Sequence, residues 1–286
     1  MRMLLVHGRS QGGKDAVKLK SEWLTALKFG LELKGLTLPS DATVDFPFYG
    51  DRLDEFVRQF DLPADPAIIP KGSPAFEEFA AFRRDVAVDL QAKAGIPDIA
   101  VQAEYRGGTT EKGVENWEWV QAIIRLLDRN ITGISQTTIE VFLRDVFLYT
   151  RRHAVSSAID AIVRDMFAEN TAVVVGHSLG SVVAYNVLRA AEHKVPFYVS
   201  VGSPLAIRAI RKSLSPICNP TGAGGWHNIY DNRDVVALYP LDKNNFDVEP
   251  SIKNYGSVQN NTSNRHGIVG YLNDANTAEI IHAAFR

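Results

Sequence analysis

Residues 172–180 leave this chain few folds to choose from. Ala172-Val173-Val174-Val175 is a continuous apolar, largely β-branched run, the pattern of a strand buried on both faces in the middle of a parallel sheet. It passes without interruption into Gly176-His177-Ser178-Leu179-Gly180. Val182, Val183, Tyr185, Val187 and Leu188 then mark an apolar helix from Leu179 to about His193. A hydroxyl on such a strand-to-helix bend is held in strained backbone and projects above the sheet, and the two glycines make room for neighbouring chain. The helix beneath it offers free N–H groups and a positive dipole end, where negative charge would develop on an attacked carbonyl. Ser178 is therefore the candidate nucleophile. The bland alternative, a glycine-rich structural turn, is disfavoured by the strand and helix on either side.

The rest of the chain repeats the alternation. Leu4 to Val6 predict a buried strand opening into His7-Gly8. Asp15 then stands at an N-cap, followed by Val17, Leu19, Trp23, Leu24, Leu27, Leu31 and Leu33 at mostly helical spacing, until Lys34-Gly35 stops the helix. Residues 43–49 predict a second strand, with Pro47 implying a strand end or an edge. Ile159, Ile162, Val163 and Phe167 mark a helix before the 172–175 strand, and 197–201 and 227–230 predict later strands. The fold class is α/β, a mostly parallel central sheet flanked by helices, in a single domain over 1–286.

Residues 50–150 interrupt this regularity. Pro63, Pro66, Pro70, Pro74 and Pro97 divide them, and helical stretches at 74–92 and 116–129 alternate with glycine-bearing loops. The expectation is a helical insertion, read as a cap rather than as ordinary outer helices. Trp117 and Trp119 could line it, although packing is the plainer role for such aromatics.

Composition narrows the partners. A net charge of −2 lacks the concentrated basic surface that nucleic acid binding needs. The single cysteine, Cys218, excludes an intramolecular disulfide framework and a CxxC pair. The apolar N-terminal run is too short for a signal peptide or a membrane span, and no later stretch reaches spanning length, so a cytoplasmic, soluble protein is expected.

A serine nucleophile needs a base, and the base an orienting acid. After an elbow of this kind they follow in the order acid, then histidine. Four histidines follow Ser178. His193 ends the helix carrying the serine, His227 sits beside Trp226 at a strand entrance, and His282 lies in an apolar C-terminal helix. His266 sits in the polar loop 260–267 ahead of an apolar helix, where a base can hang over the sheet edge, and is favoured. Asp231 and Asp234 compete as the acid. Asp231 stands nearer the strand tip and could serve as a turn residue, whereas Asp234 stands further out and is preferred. Gly202-Ser203-Pro204, at an earlier strand end, holds no carboxylate. The oxyanion donors expected are the N–H groups of Leu179, after the nucleophile, and Arg9, in the loop after the first strand.

With these residues placed, the chain resembles the α/β-hydrolase superfamily, and within it lipase-like serine esterases, the GPI-inositol-deacylase-like group among them. A Val-His-Gly loop, a Gly-His-Ser-Leu-Gly elbow, a Gly-Ser-Pro strand end and an Asp-x-Val segment recur in such enzymes in this order, and here they occupy 4–13, 172–184, 201–205 and 228–236, with His266 after them. The resemblance implies cleavage of a small-molecule or lipid acyl ester with no metal or organic cofactor, and it supports Asp234 through Asp234-Val235-Val236. The first loop lacks the run of several glycines found in many esterases, and 50–150 match no family pattern. Two rival readings remain: a hydrolase fold without catalysis, acting as a scaffold, and a nucleotide binder. The latter rests on Gly8-Arg9-Ser10-Gln11-Gly12-Gly13-Lys14, which fits a P-loop up to its lysine, but Asp15 stands where Ser or Thr must hold Mg²⁺.

Overall fold

The computed structural model describes residues 1–60, 74–105, 117–130, 136–237, 239–262 and 264–286. Pro63, Pro66, Pro70, the helix start at Asn116, the side chain of Trp117, and Ser263 of the polar loop lie outside the described residues.

Among the described residues, β1 (Arg2–Val6), β2 (Thr43–Asp45), β3 (Thr171–His177), β4 (Val195–Val201), β5 (Thr221–Ile229) and β6 (Lys253–Tyr255) form one sheet. Their order is β2-β1-β3-β4-β5-β6, and every neighbouring pair is parallel. Strand alternation divides the core. Met3 and Leu5 face one side with Val173, Val175, Val199 and Val201, while Leu4 and Val6 face the other with Val174, Tyr198 and Trp226.

The first face is covered by α1 (Ala16–Glu32), α10 (Ile268–Leu272) and α11 (Ala275–His282). Asp15 caps α1 by accepting from Val17 N at 2.8 Å and Lys18 N at 3.1 Å. The second face carries α7 (His153–Arg164), α8 (Leu179–Ala190) and α9 (Arg208–Ser213). It also carries α2 (Gly50–Phe60), α3 (Pro74–Lys93), α4 (Asp98–Glu104), α5 (Trp117–Asn130) and α6 (Gln136–Arg151), the helices within 50–150. Phe56, Phe82, Ile123 and Phe147 from this stretch belong to the same apolar cluster as Val174 and Trp226, so these helices pack onto the sheet's own core. No helix among the described residues is long and apolar enough to cross a membrane.

Three elements depart from the sequence reading. β2 stops at Asp45 instead of Tyr49, because Pro47 has no N–H to continue the ladder. β5 begins at Thr221, earlier than His227, through Gly222, Gly224 and Gly225. Pairing to β4 on one side overrides the low strand propensity of glycine there. β6 is too short to carry a periodic signal.

The order of the strands positions a crevice. β1 has β2 on one side and β3 on the other, so the chain leaves β1 in one direction and later returns in the opposite one. Ligands of open parallel sheets bind outside the carboxyl ends of the strands at such a reversal. The carboxyl ends here are Val6, leading into His7-Gly8-Arg9, and His177, leading into Ser178.

Candidate active site

Ser178 sits between β3 and α8 with φ 54° and ψ −129°. Positive φ is costly for a residue with a Cβ and persists only where the surroundings enforce it. Ser178 N donates to Val201 O at 3.0 Å and Ser178 O accepts from Ser181 N at 2.9 Å, so both sides of its peptide are tied. Ser181 Oγ lies 2.6 Å from Ser178 O and 2.7 Å from Ser203 Oγ. Ser203, in the Gly-Ser-Pro strand end that holds no carboxylate, thus braces the bend from β4.

Close backbone approach explains the glycines around it. A Cβ on Gly180 would lie 2.2 Å from the backbone oxygen of His7, so the first turn of α8 rests directly on the end of β1. A Cβ on Gly8 would come within 3.0 Å of Ser178 Cβ. The loop carrying Arg9 therefore runs beside the serine. Leu179 is the first residue of α8, and its N–H has no intrahelical acceptor.

His266 Nε2 lies 2.7 Å from Ser178 Oγ, and its Nδ1 lies 2.6 Å from Asp234 Oδ2. The Asp234 side chain is fully buried and the His266 side chain is 13% exposed, so the chain of groups runs from core to cleft. Asp234 Oδ1 accepts from Val236 N at 2.9 Å, and Oδ2 also accepts from the Tyr271 hydroxyl at 2.6 Å. With the proton on Nδ1 beside the carboxylate, the lone pair of Nε2 faces the serine hydroxyl. That arrangement can withdraw a proton from Ser178 and return it to a neighbouring oxygen.

Asp231 faces elsewhere. It accepts from Arg233 N at 2.8 Å, from the Arg233 guanidinium at 2.8 and 3.0 Å, and from Asn260 N at 2.8 Å. Asn260 is fully buried, and its Nδ2 donates to Arg265 O and Gly267 O, both at 2.8 Å, on either side of His266. The carboxylate that does not meet His266 thus anchors the loop that carries it.

His193 stacks on Phe167 with ring centroids 4.6 Å apart, His227 stacks on Phe197 at 5.8 Å, and His282 belongs to α11, so none of the three meets Ser178. Cys218 is exposed, and its backbone pairs with the Tyr185 hydroxyl.

Sequence reasoning overlooked His177 and Tyr271. His177 is buried, and its Nε2 donates to the backbone carbonyl of His266 at 2.8 Å. Burial, followed by the charge of His266, holds its pKa well below the ordinary histidine value, which keeps the ring neutral. As the second residue of the elbow it is in plain view in the sequence, yet nothing in the sequence says which group it meets. His7 is also buried and is pushed down to about 4, chiefly by burial. Its Nε2 accepts from Tyr49 N at 3.1 Å, so its proton sits on Nδ1 and is donated to Gly8 O at 2.6 Å.

A cleft of about 540 Å³ opens over Ser178 and His266, lined by Arg9, Gln11, Lys14, Trp23 and Asn264 among others. Gly12 and Gly13 of the Gly8–Lys14 turn face carboxylates of α2 instead of forming a phosphate cradle. Gly13 N donates to Asp51 Oδ1 at 2.7 Å, and a Cβ on Gly12 would run into the Asp54 carboxylate. Two carboxylates stand where a phosphate would need positive surroundings. Among the described residues, no group of three or more His, Cys, Asp or Glu side chains is arranged to hold a metal ion. Compared with protein-family models, curated proteins and solved structures, the chain matches none.

Proposed function

We propose that this chain is a serine hydrolase of the α/β-hydrolase type that cleaves acyl esters through an acyl-enzyme. One observation carries the reading. A continuous hydrogen-bonded path from the buried Asp234 through His266 to Ser178 ends at a strained elbow beneath an open cleft, at the reversal point of a parallel sheet.

In the first step Ser178 Oγ forms a bond to the ester carbonyl carbon while its proton passes to His266 Nε2. Asp234 holds the ring in the tautomer that can accept it and stabilises the resulting imidazolium. The N–H groups of Leu179 and Arg9 donate to the oxyanion. The carbon–oxygen bond to the alcohol then breaks, the alcohol takes the proton from Nε2, and the acyl group stays on Ser178. Water attacks next, giving its proton to Nε2, and the serine leaves with that proton restored. In this reading α6 alone of the described helices of 50–150 borders the cleft, where Thr138 lines it and its carbonyl accepts from Arg9 Nη2.

A fluorophosphonate probe tests the proposal. Wild-type protein should be labelled at Ser178 and should hydrolyse p-nitrophenyl acetate or butyrate. Ser178→Ala should do neither while melting as the wild type does. Absence of labelling in folded wild-type protein overturns it.

A further inference from the structure

Beside His266 the cleft gives way to a second, much smaller space of about 60 Å³. Arg9, Thr138, Asn264 and His266 line both spaces, so the two meet at the ring that faces Ser178. The remaining walls of the recess are apolar: Val235 and Val236 from the turn after Asp234, Leu90 of α3, and Ile139 and Phe142 of α6. One water occupies about 30 Å³ of liquid, and a methylene group is of similar size, so the recess holds only about two carbons.

Its walls are held in place. Arg9 Nη2 donates to Thr138 O at 2.9 Å, and the same guanidinium stands 5.8 Å from the Phe142 ring centre, which clamps the start of α6 to the loop beside Ser178. Two residues further along, Glu140 pairs with the buried Arg83 of α3. Val236 N is bonded to Asp234 Oδ1, which fixes the opposite wall. Packed interiors of this kind resist dilation, so the capacity of the recess is set by the side chains that line it.

We propose, resting on the hydrolase reading above, that the recess receives the acyl chain and that Phe142 and Ile139 restrict the substrates to short-chain acyl esters. The division of polarity assigns the two halves of the ester. An alkyl chain is desolvated among Leu90, Phe142, Val235 and Val236, whereas the larger cleft sets Gln11 and Lys14 among apolar Leu19, Trp23, Ile268 and Val269, a mixed lining that suits the more polar alcohol half. Phe142 is a specificity-determining residue in this scheme and takes no part in the bond-breaking steps.

The test varies the acyl chain at constant leaving group, using p-nitrophenyl acetate, butyrate, octanoate and palmitate. Wild-type kcat/KM should fall at least tenfold from butyrate to octanoate, and Phe142→Ala should raise the octanoate-to-butyrate ratio at least tenfold. Ile139→Ala should shift the ratio in the same direction, and it serves as the second variant if Phe142→Ala does not fold. Equal or greater wild-type activity on octanoate overturns the proposal, as does an unchanged ratio in a folded variant. If the fluorophosphonate labels Ser178 but chain length is ignored, the recess assignment alone falls. If nothing is labelled and no ester is cleaved, the hydrolase reading falls and takes this inference with it.

Discussion

The imidazole of His177 donates to the backbone carbonyl of His266 across 2.8 Å, so the residue preceding the strained serine holds the main chain of the ring that faces it. The two rings lie 5.0 Å apart between centroids. Because His177 grips backbone, it acts as a positioning residue. His177→Ala should lower kcat about tenfold to a hundredfold with little change in KM, since a misplacement of about 1 Å is enough for that loss. His177→Gln, whose amide reaches a similar point, should recover most of it. Steady-state kinetics on a short p-nitrophenyl ester check this, and a wild-type kcat in the alanine variant would refute it.

Asp234 and Asp231 should separate cleanly. Asp234→Asn leaves His266 Nδ1 facing an amide and favours the wrong tautomer, and kcat should drop about 10⁴-fold with the fold intact. Asp231→Asn weakens the bonds from Arg233 and Asn260, so its main effect should be a lower melting temperature, with kcat reduced less than tenfold. The opposite pattern would exchange the two assignments.

Tyr271→Phe removes one donor to Asp234 Oδ2 and strips Asp231 N of its acceptor. A buried hydrogen bond of this kind contributes about 1 kcal/mol, so the urea midpoint should fall correspondingly. kcat should fall several-fold, because the carboxylate loses one of the groups that orient it. Equal stability and equal kcat would show the hydroxyl to be idle.

The buried His7 gives the stability a pH signature. Its pKa is about 4 in the fold against 6.5 when exposed, so the unfolded chain binds a proton first as pH falls. Its contribution is present in full above pH 6.5 and is lost between 6.5 and 4, to the extent of about 3 kcal/mol. Asp160 works in the opposite direction: burial raises it to about 6, so its contribution grows as pH falls from 6 towards 3.8. His177, also held well below the ordinary histidine value by burial, adds to the loss as pH falls, so the wild-type profile sums several groups and only comparison with a His7 variant isolates this one. Urea denaturation of wild type and His7→Gln in parallel should show the wild type losing about 3 kcal/mol relative to the variant between pH 6.5 and 4. A constant difference would contradict the burial argument.

Gly180→Ala would drive a methyl group into the His7 carbonyl, at the junction of β1 and α8. Neither partner can yield, because one is a central strand and the other is the helix under Ser178. A loss of about 1–3 kcal/mol or more is expected, read as a lower melting temperature together with weaker labelling of Ser178. An unaffected melt would mean that the junction has slack.

The sequence alone was enough to establish the α/β alternation, because the runs at 4–6, 172–175 and 197–201 and the helix after Ser178 each carry their own period. The elbow was equally legible, since strand, bend and helix are contiguous from Ala172 to Leu188, although the groups that Gly180 makes room for, Val6 and His7, lie far away in the chain. Tertiary structure decided which distant groups meet. Asp231 and Asp234 differ by three positions and look interchangeable in the chain. Only the packing of α10 and the Asn260-anchored loop brings His266 to one of them and commits the other to holding that loop. The partners of His177 and Tyr271 and the recess under α6 were invisible for the same reason: a hydrogen bond or a cavity between segments far apart in sequence leaves no periodic trace in either one.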